Sequence, residues 1–420
     1  MTEEQPESTE PSPSLRPWAS LGYRDYRLLF LVSLFATTAQ QMRHTQNLYQ
    51  VYELSGSALQ LGLTGLAQGI PLFALGLFGG TLADFLDRKK LLLITCGGNL
   101  FVALVFGILT LADKIQVWHI LVGTALTSAL NIVLNPTRMA MLSRLVPRSH
   151  LTNAVSLNSS VSQAAHFIGP MLAGLSLAWM DIGNAYLFNA LFYLPAASSV
   201  VLIRTPGTPH RDRGTFSLAS ILSGLRFLFA EPIVLALVML DFIIIGIGYY
   251  RPLLPIFAKD ILDVGPAGFG MLSSAPAVGG ILGTALLLVM GDIEHKGLLA
   301  LWSFLGYCLA LGLFAISNNF WLSLLLLGTL GLANSLQAVM RQTTFHLLTP
   351  DHVRGRAFSV FNMFSQGANA VGATEVGLMA FLIGAPGALL FGCAAGGLLT
   401  LGCWIRMPGL RSFGAETRRR

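Results

Sequence analysis

The sequence predicts an all-α membrane protein with twelve transmembrane helices in two pseudo-symmetric six-helix bundles. Three observations carry that prediction. Apolar stretches of 20 or more residues recur along the whole chain, basic residues gather on one face of the topology those stretches imply, and the two halves of the sequence are related. Of 420 residues, 54% are hydrophobic and 11% charged, with a mean hydropathy of +0.66. A soluble chain carries roughly 25% charged residues, so this one lacks the polar surface to face water. A soluble protein with one large core fails on run length alone.

In chain order, residues 1–20 are acidic and proline-rich (Glu3, Glu4, Glu7 and Glu10; Pro6, Pro11, Pro13 and Pro17) and read as a disordered cytoplasmic tail. An acidic start is also the wrong prelude for a cleaved signal peptide, so the first apolar run is expected to stay in the mature protein. Residues 21–203 form a first bundle with spans at 28–52, 58–83, 91–111, 117–137, 152–179 and 184–203. A polar stretch, 204–231, links it to a second bundle, 232–406. The second set of spans lies at 232–257, 267–290, 297–316, 320–340, 357–383 and 385–405, before a basic tail at 407–420. Gly65–Gly69 and Gly76–Gly80 read as packing notches, since neither a strand nor a phosphate-binding lysine accompanies them.

An even number of spans puts both termini on one side. That side receives 22 of the 26 Lys and Arg residues, against Lys114 and Lys259 on the other; Arg43 and Arg251 fall within spans. Basic loops stay in the cytoplasm, so both termini are expected there, in the cell (inner) membrane. The net charge of +6 is explained by topology and calls for no nucleic-acid partner.

Shifting the sequence by 203 residues lays Arg138-to-Gly169 over Arg341-to-Gly372 with nine of 32 positions identical, among them Arg138/Arg341, Pro147/Pro350, Gln163/Gln366 and Gly169/Gly372. A shift of 208 pairs Arg43 with Arg251, Asp84 with Asp292 and Arg88 with Lys296. Chance apolar similarity does not place paired charges at corresponding ends of spans. Two like-oriented six-helix halves imply a ligand site at their interface.

The four cysteines, Cys96, Cys308, Cys393 and Cys403, all sit in apolar runs without metal-ligand spacing. No metal, cofactor or catalytic residue is expected. A membrane enzyme would need a nucleophile–base pair or metal cluster that is not visible.

Between the second and third spans, Gly80-Thr-Leu-Ala-Asp84-Phe-Leu-Asp87-Arg88-Lys89-Lys90 resembles the cytoplasmic-loop motif of the major facilitator superfamily. It departs from the common pattern at Phe85, where a basic residue is usual, and at Asp87, where glycine is usual. The resemblance implies a gating latch in which Asp84 meets the start of span 11 near Gly355, with Arg88 in a charge contact nearby. Ala165-His166-Phe167-Ile168-Gly169-Pro170-Met171-Leu172-Ala173-Gly174 resembles the Gly-Pro motif of drug–proton antiporters in that superfamily, with Ala165 where glycine is usual. Its small face is expected against Gly279 and Gly283 of span 8. Asn135 through Arg148, Arg341 through Arg356, and Gly372-Ala-Thr-Glu375-Val-Gly377 resemble the enterobactin-exporter and macrolide-efflux branch, over roughly residues 20 to 405.

Ionisable groups inside spans mark function by default, because a charge at the bilayer centre costs ~2.5–3.5 kcal/mol even on the lenient insertion scale. Asp241 and Glu375 are the leading proton carriers, since an apolar cavity favours the protonated carboxyl; alternatively each is a structural partner of Arg43 or Arg251. His166 either titrates or makes a helix–helix hydrogen bond. Arg43 and Arg251 either form a positive wall for an anionic cargo or close an extracellular gate. Gln40, His44, Asn47, Asn131, Gln163, Tyr249, Asn334, Gln337, Asn362 and Gln366 complete the set expected around a central cavity.

The function this implies is secondary active transport. The leading expectation is proton-coupled efflux of a small amphipathic molecule, drug or siderophore-like, by a monomer whose partners are the lipid bilayer, that molecule and protons. An uptake symporter of the same fold is the alternative, and a membrane-embedded enzyme the reading from another class.

Overall fold

The computed structural model describes residues 18–85, 87–207, 226, 229–291, 293 and 295–407; the surroundings of side chains 76–85, 351–352, 354–356 and 359 are not among what it describes. Most of the expected tails and linker therefore lie outside the described residues. Among the described residues, eleven long helices run α1 Arg24–Ser55, α2 Ala58–Phe85, α3 Arg88–Leu111, α4 Val117–Leu145, α5 Leu151–Trp179, α6 Ile182–Leu202, α7 Pro232–Ile247, α8 Gly265–Met290, α9 Lys296–Ala315, α10 Phe320–Leu348 and α11 Asp351–Arg406. Among the described residues, nine helical stretches are long and apolar enough to cross a membrane. The polar α1 and α5 fall short on composition, not length.

Helix α11 is two helices joined at Gly384, whose φ of 80° and ψ of 160° suit only glycine; this is the break expected between residues 383 and 385. Three other boundaries depart from expectation. Helices α4 and α10 run to Leu145 and Leu348, past the expected ends at 137 and 340. Arg138 and Arg341, counted as loop charges, are thus helical, which trims the basic excess of one face without reversing it. The expected continuous span 232–257 stops at Ile247, and the chain proceeds through a 3₁₀ turn at Arg251–Leu253 and a π-helical turn at Phe257–Ile261. Gly246, Gly248, Pro252 and Pro255 account for the break, since proline removes a backbone donor and glycine weakens a helix interior.

The packing repeats between the halves. Helix α1 packs on α5 and α6, as α7 packs on α11; α2 packs on α4 as α8 packs on α10; α3 packs on α6 as α9 packs on α11. Two seams join the halves: α2 with α11, and α5 with α8. Both depend on glycine meeting glycine. A Cβ on Gly174 would lie 2.5 Å from the Gly270 Cα, and one on Gly62 would lie 2.9 Å from the Gly377 Cα, so only hydrogen fits.

At the end where α1 begins, the halves keep separate cores: Tyr26, Leu29, Leu142 and Tyr193 in the first, and Val234, Phe345, Val360 and Phe361 in the second. Toward the opposite end one core crosses between them, with Leu48, Val51 and Leu61 joined to Leu253, Phe257 and Phe269. The outer surface is apolar; Leu288 and Val289 are 79% and 86% exposed. Exposed Trp118, Trp179 and Trp321 ring one end, Trp302 sits near the other, and such belts mark membrane interfaces.

Candidate functional site

A cavity of about 740 Å³ lies between the halves, lined from α1, α2, α4, α5, α7 and the segment after it, α8, α9, α10 and α11. It takes in Gln40, Arg43, His44, Asn47, Asn131, Gln163, His166, Asp241, Tyr249, Arg251, Asn334 and Gln366, twelve of the residues singled out from the sequence. Three others do not line it. Gln337 is buried behind the wall, Asn362 is exposed, and Glu375 belongs elsewhere.

Among the described residues the most buried charge is Asp241, 1% exposed. It forms an ion pair with Arg341. Gln337 Nε2 donates to its Oδ1 at 3.0 Å, and Ser365 Oγ donates to its Oδ2 at 3.3 Å. Gln337 and Arg341 stand one turn apart on α10, so both reach α7 from one face. Phe361, one turn before Ser365 on α11, places its ring 5.0 Å from the Arg341 guanidinium. The partner of Asp241 is therefore Arg341, not Arg43 or Arg251 as one sequence alternative held. Arg341 was missed because span 10 was ended at residue 340. The signal was available: Asn334, Gln337 and Arg341 form a polar stripe at helical spacing, which a loop has no reason to keep.

The first half holds the counterpart without the acid. Arg138, aligned with Arg341, donates to Thr37 Oγ1 at 2.9 Å and Asn135 Oδ1 at 2.6 Å. Arg43 donates to the carbonyl and side-chain oxygen of Asn99 at 3.3 and 2.7 Å, and lies 5.7 Å from the Tyr193 ring centroid. His44 meets Gln68 Nε2 at 3.4 Å, while the His166 ring donates to the Ser162 carbonyl one turn back, at 2.7 Å. Asn47 donates to Thr124 Oγ1 and accepts from the Tyr186 hydroxyl.

Glu375 lines a separate, apolar crevice on the α2–α11 seam, with Leu66, Ile70, Phe73 and Leu378. Its Oε2 is buried and has no hydrogen-bond partner among the described residues.

Opposite the end where α1 begins, the halves are tied by polar contacts. Lys259 Nζ donates to Glu53 Oε1 at 2.8 Å, and the Tyr52 hydroxyl donates to Asp260 Oδ2. The environments of Gly80, Asp84 and Gly355, members of the expected latch, lie outside the described residues. Arg88 is buried and donates to the Ala140 carbonyl at 3.2 Å. Asp87, the departure from the common motif, caps α3 by accepting from the Lys90 amide at 3.0 Å, a role suited to aspartate. Gly169 faces α1, where a Cβ would meet the Gln41 Cβ at 2.6 Å, and Gly279 and Gly283 face α10. The Gly-Pro motif's expected contact with those two glycines is thus replaced by the Gly174–Gly270 contact one turn on.

No described group of three or more His, Cys, Asp or Glu residues could hold a metal.

Residues 15–417 match the family model described as transmembrane secretion effector. The chain is 26% identical over 363 residues to a protein of Shigella boydii named enterobactin exporter EntS, and 25% identical over 359 residues to the one of that name from Salmonella typhimurium, covering 84% of both chains in each case. Among solved structures, the nucleoside transporter NupG superposes with a TM-score of 0.71 at 12% identity, covering 92% of this chain and 98% of that one. A transporter of the POT family in complex with 5-aminolevulinic acid gives 0.70 at 11%, covering 92% and 96%. These likenesses are of fold. The chain belongs to the transmembrane secretion effector family, a group of major facilitator transporters, and is a multi-pass membrane protein.

Proposed function

We propose that the chain is a proton-coupled exporter of a small amphipathic molecule, acting by alternating access. It would sit in the cell (inner) membrane as a monomer, with both termini cytoplasmic and twelve spans, counting α1, α5 and the two limbs of α11. The observation that carries this is the polar cavity between the halves, whose one lining carboxylate among the described residues, Asp241, is held across three helices of a single half. The names of the enterobactin-exporter relatives favour efflux, of a drug or siderophore-like cargo.

Protonating Asp241 Oδ2 removes the charge that Arg341 compensates and loosens α7 from α10 and α11. Release of that proton on the other side restores the pair. At ~150 mV one proton supplies ~3.5 kcal/mol, enough for a roughly 300-fold gradient of a neutral solute. Glu375 is a second candidate carrier, set in the seam and not in the cavity. His166, engaged within its own helix, is the weaker choice. The continuous core opposite the end where α1 begins, against separate cores at that end, fits a state open toward the cytoplasm.

The test uses everted vesicles holding a pH gradient, challenged with enterobactin and a panel of amphipathic drugs. Export predicts cargo-induced collapse of the gradient, lost in Asp241→Asn. Full proton-dependent transport in both Asp241→Asn and Glu375→Gln would overturn the coupling assignment. Cargo and protons moving in the same direction would overturn antiport.

A further inference from the structure

We propose that the cavity selects an anionic cargo, and that Arg43 and Arg251 hold its negative group. This rests on the cavity being the cargo site. Its described wall carries three guanidiniums, on Arg43, Arg251 and Arg341, and one carboxylate, on Asp241. Arg341 and Asp241 neutralise each other, which leaves a formal charge of +2 on the other two arginines. No described carboxylate pairs with either.

Arg43 bonds only neutral partners, Asn99 and the face of Tyr193. Arg251 stands with Tyr249, Tyr250 and Tyr307 on the same wall. Arg43, on α1, and Arg251, just beyond α7, line the same cavity from opposite halves. Two guanidiniums in a membrane-embedded cavity repel each other and gain most from a shared anion, which also takes up their planar donor forks.

The other role open to them, closing an outer gate, is already filled. Lys259 with Glu53, Tyr52 with Asp260 and the Gly174–Gly270 contact close that end without either arginine. The cargo class is therefore an amphipathic molecule bearing a carboxylate, sulfonate, phosphate or ionised phenol, with an aromatic body to lie against the tyrosines.

The test is fluorescence titration of the purified full chain in neutral phosphatidylcholine nanodiscs with three probes sharing a fluorophore: dansylglycine (anion), dansylamide (neutral) and dansylcadaverine (cation). Dansylglycine is expected to bind tightest. Arg43→Gln and Arg251→Gln should each weaken it by about 10- to 100-fold, the range of one charge-assisted hydrogen bond, while moving dansylamide by less than about twofold. Arg→Lys at either position should recover part of the loss. Equal or tighter binding of the neutral or cationic probe overturns the proposal, as does no binding of the anion, or Gln variants that keep its affinity. Should a Gln variant misfold on size exclusion, the order of the three probes on the native chain decides alone. Failure of export leaves this order intact, whereas transport that neutral and cationic probes inhibit as well as the anion removes the selectivity and spares export.

Discussion

Asp241→Asn keeps the shape of the side chain and removes its charge, leaving the Arg341 guanidinium, 9% exposed, facing a neutral amide. Breaking a buried ion pair from one side costs roughly 3–5 kcal/mol, mostly for the charge left behind. The lower end applies here, because Arg341 also lines the cavity and can draw in water. Arg341→Gln strands the opposite charge on Asp241, which is more deeply buried, and is expected to cost more until that carboxyl takes up a proton. The double variant leaves no unpaired charge at this site, so it should be more stable than the sum of the single losses implies, by about 1–3 kcal/mol of coupling. Reversible unfolding of the four proteins in mixed micelles, at a pH where the native carboxyl is ionised, reads this cycle. Losses that simply add would refute the view that the pair is one electrostatic unit, and with it the reason for placing the proton there.

Gly174→Val should disrupt the α5–α8 seam, because the new Cβ meets the Gly270 backbone and not a side chain able to turn away; a loss of ~1–3 kcal/mol or more and little transport are expected in thermal melts and vesicle assays. Lys259→Glu places like charges opposite Glu53 in a pair that is 48% and 30% exposed. Its effect on stability should stay within about 1 kcal/mol, while the balance of outward and inward states shifts in spin-label distances across that end. Adding Glu53→Lys should restore the native distances, and a double variant that behaves like the single one would show that the contact is incidental.

Much of the fold was legible because lipid imposes a coarse rule: long apolar runs are spans, and basic loops lie on one side. The break at Gly384 was legible for the same reason, a glycine among apolar residues between two runs of full length. What escaped were polar extensions of helices beyond the apolar core. Arg341 and Arg138 follow the last apolar run of α10 and α4, and hydropathy alone assigns such residues to loops, although helical spacing continues through them. The cavity residues were legible as polar groups inside spans, and most line one space. Their pairing was not, because it depends on which face of each helix meets which neighbour. Asn362 and Gln366 are both amides on α11, one turn apart, yet only Gln366 reaches the cavity.

The central claim is that one cavity is reached alternately from both sides. It is tested by Asn131→Cys, a cavity position, in a chain whose four native cysteines are replaced by serine or alanine, probed with a membrane-impermeant thiol reagent applied to either side of sealed vesicles. The account predicts labelling from both sides. It further predicts that a bis-maleimide bridge between cysteines at Glu53 and Lys259 abolishes labelling from the extracellular side alone. Labelling from a single side in the unbridged protein, whatever the pH gradient, would contradict it.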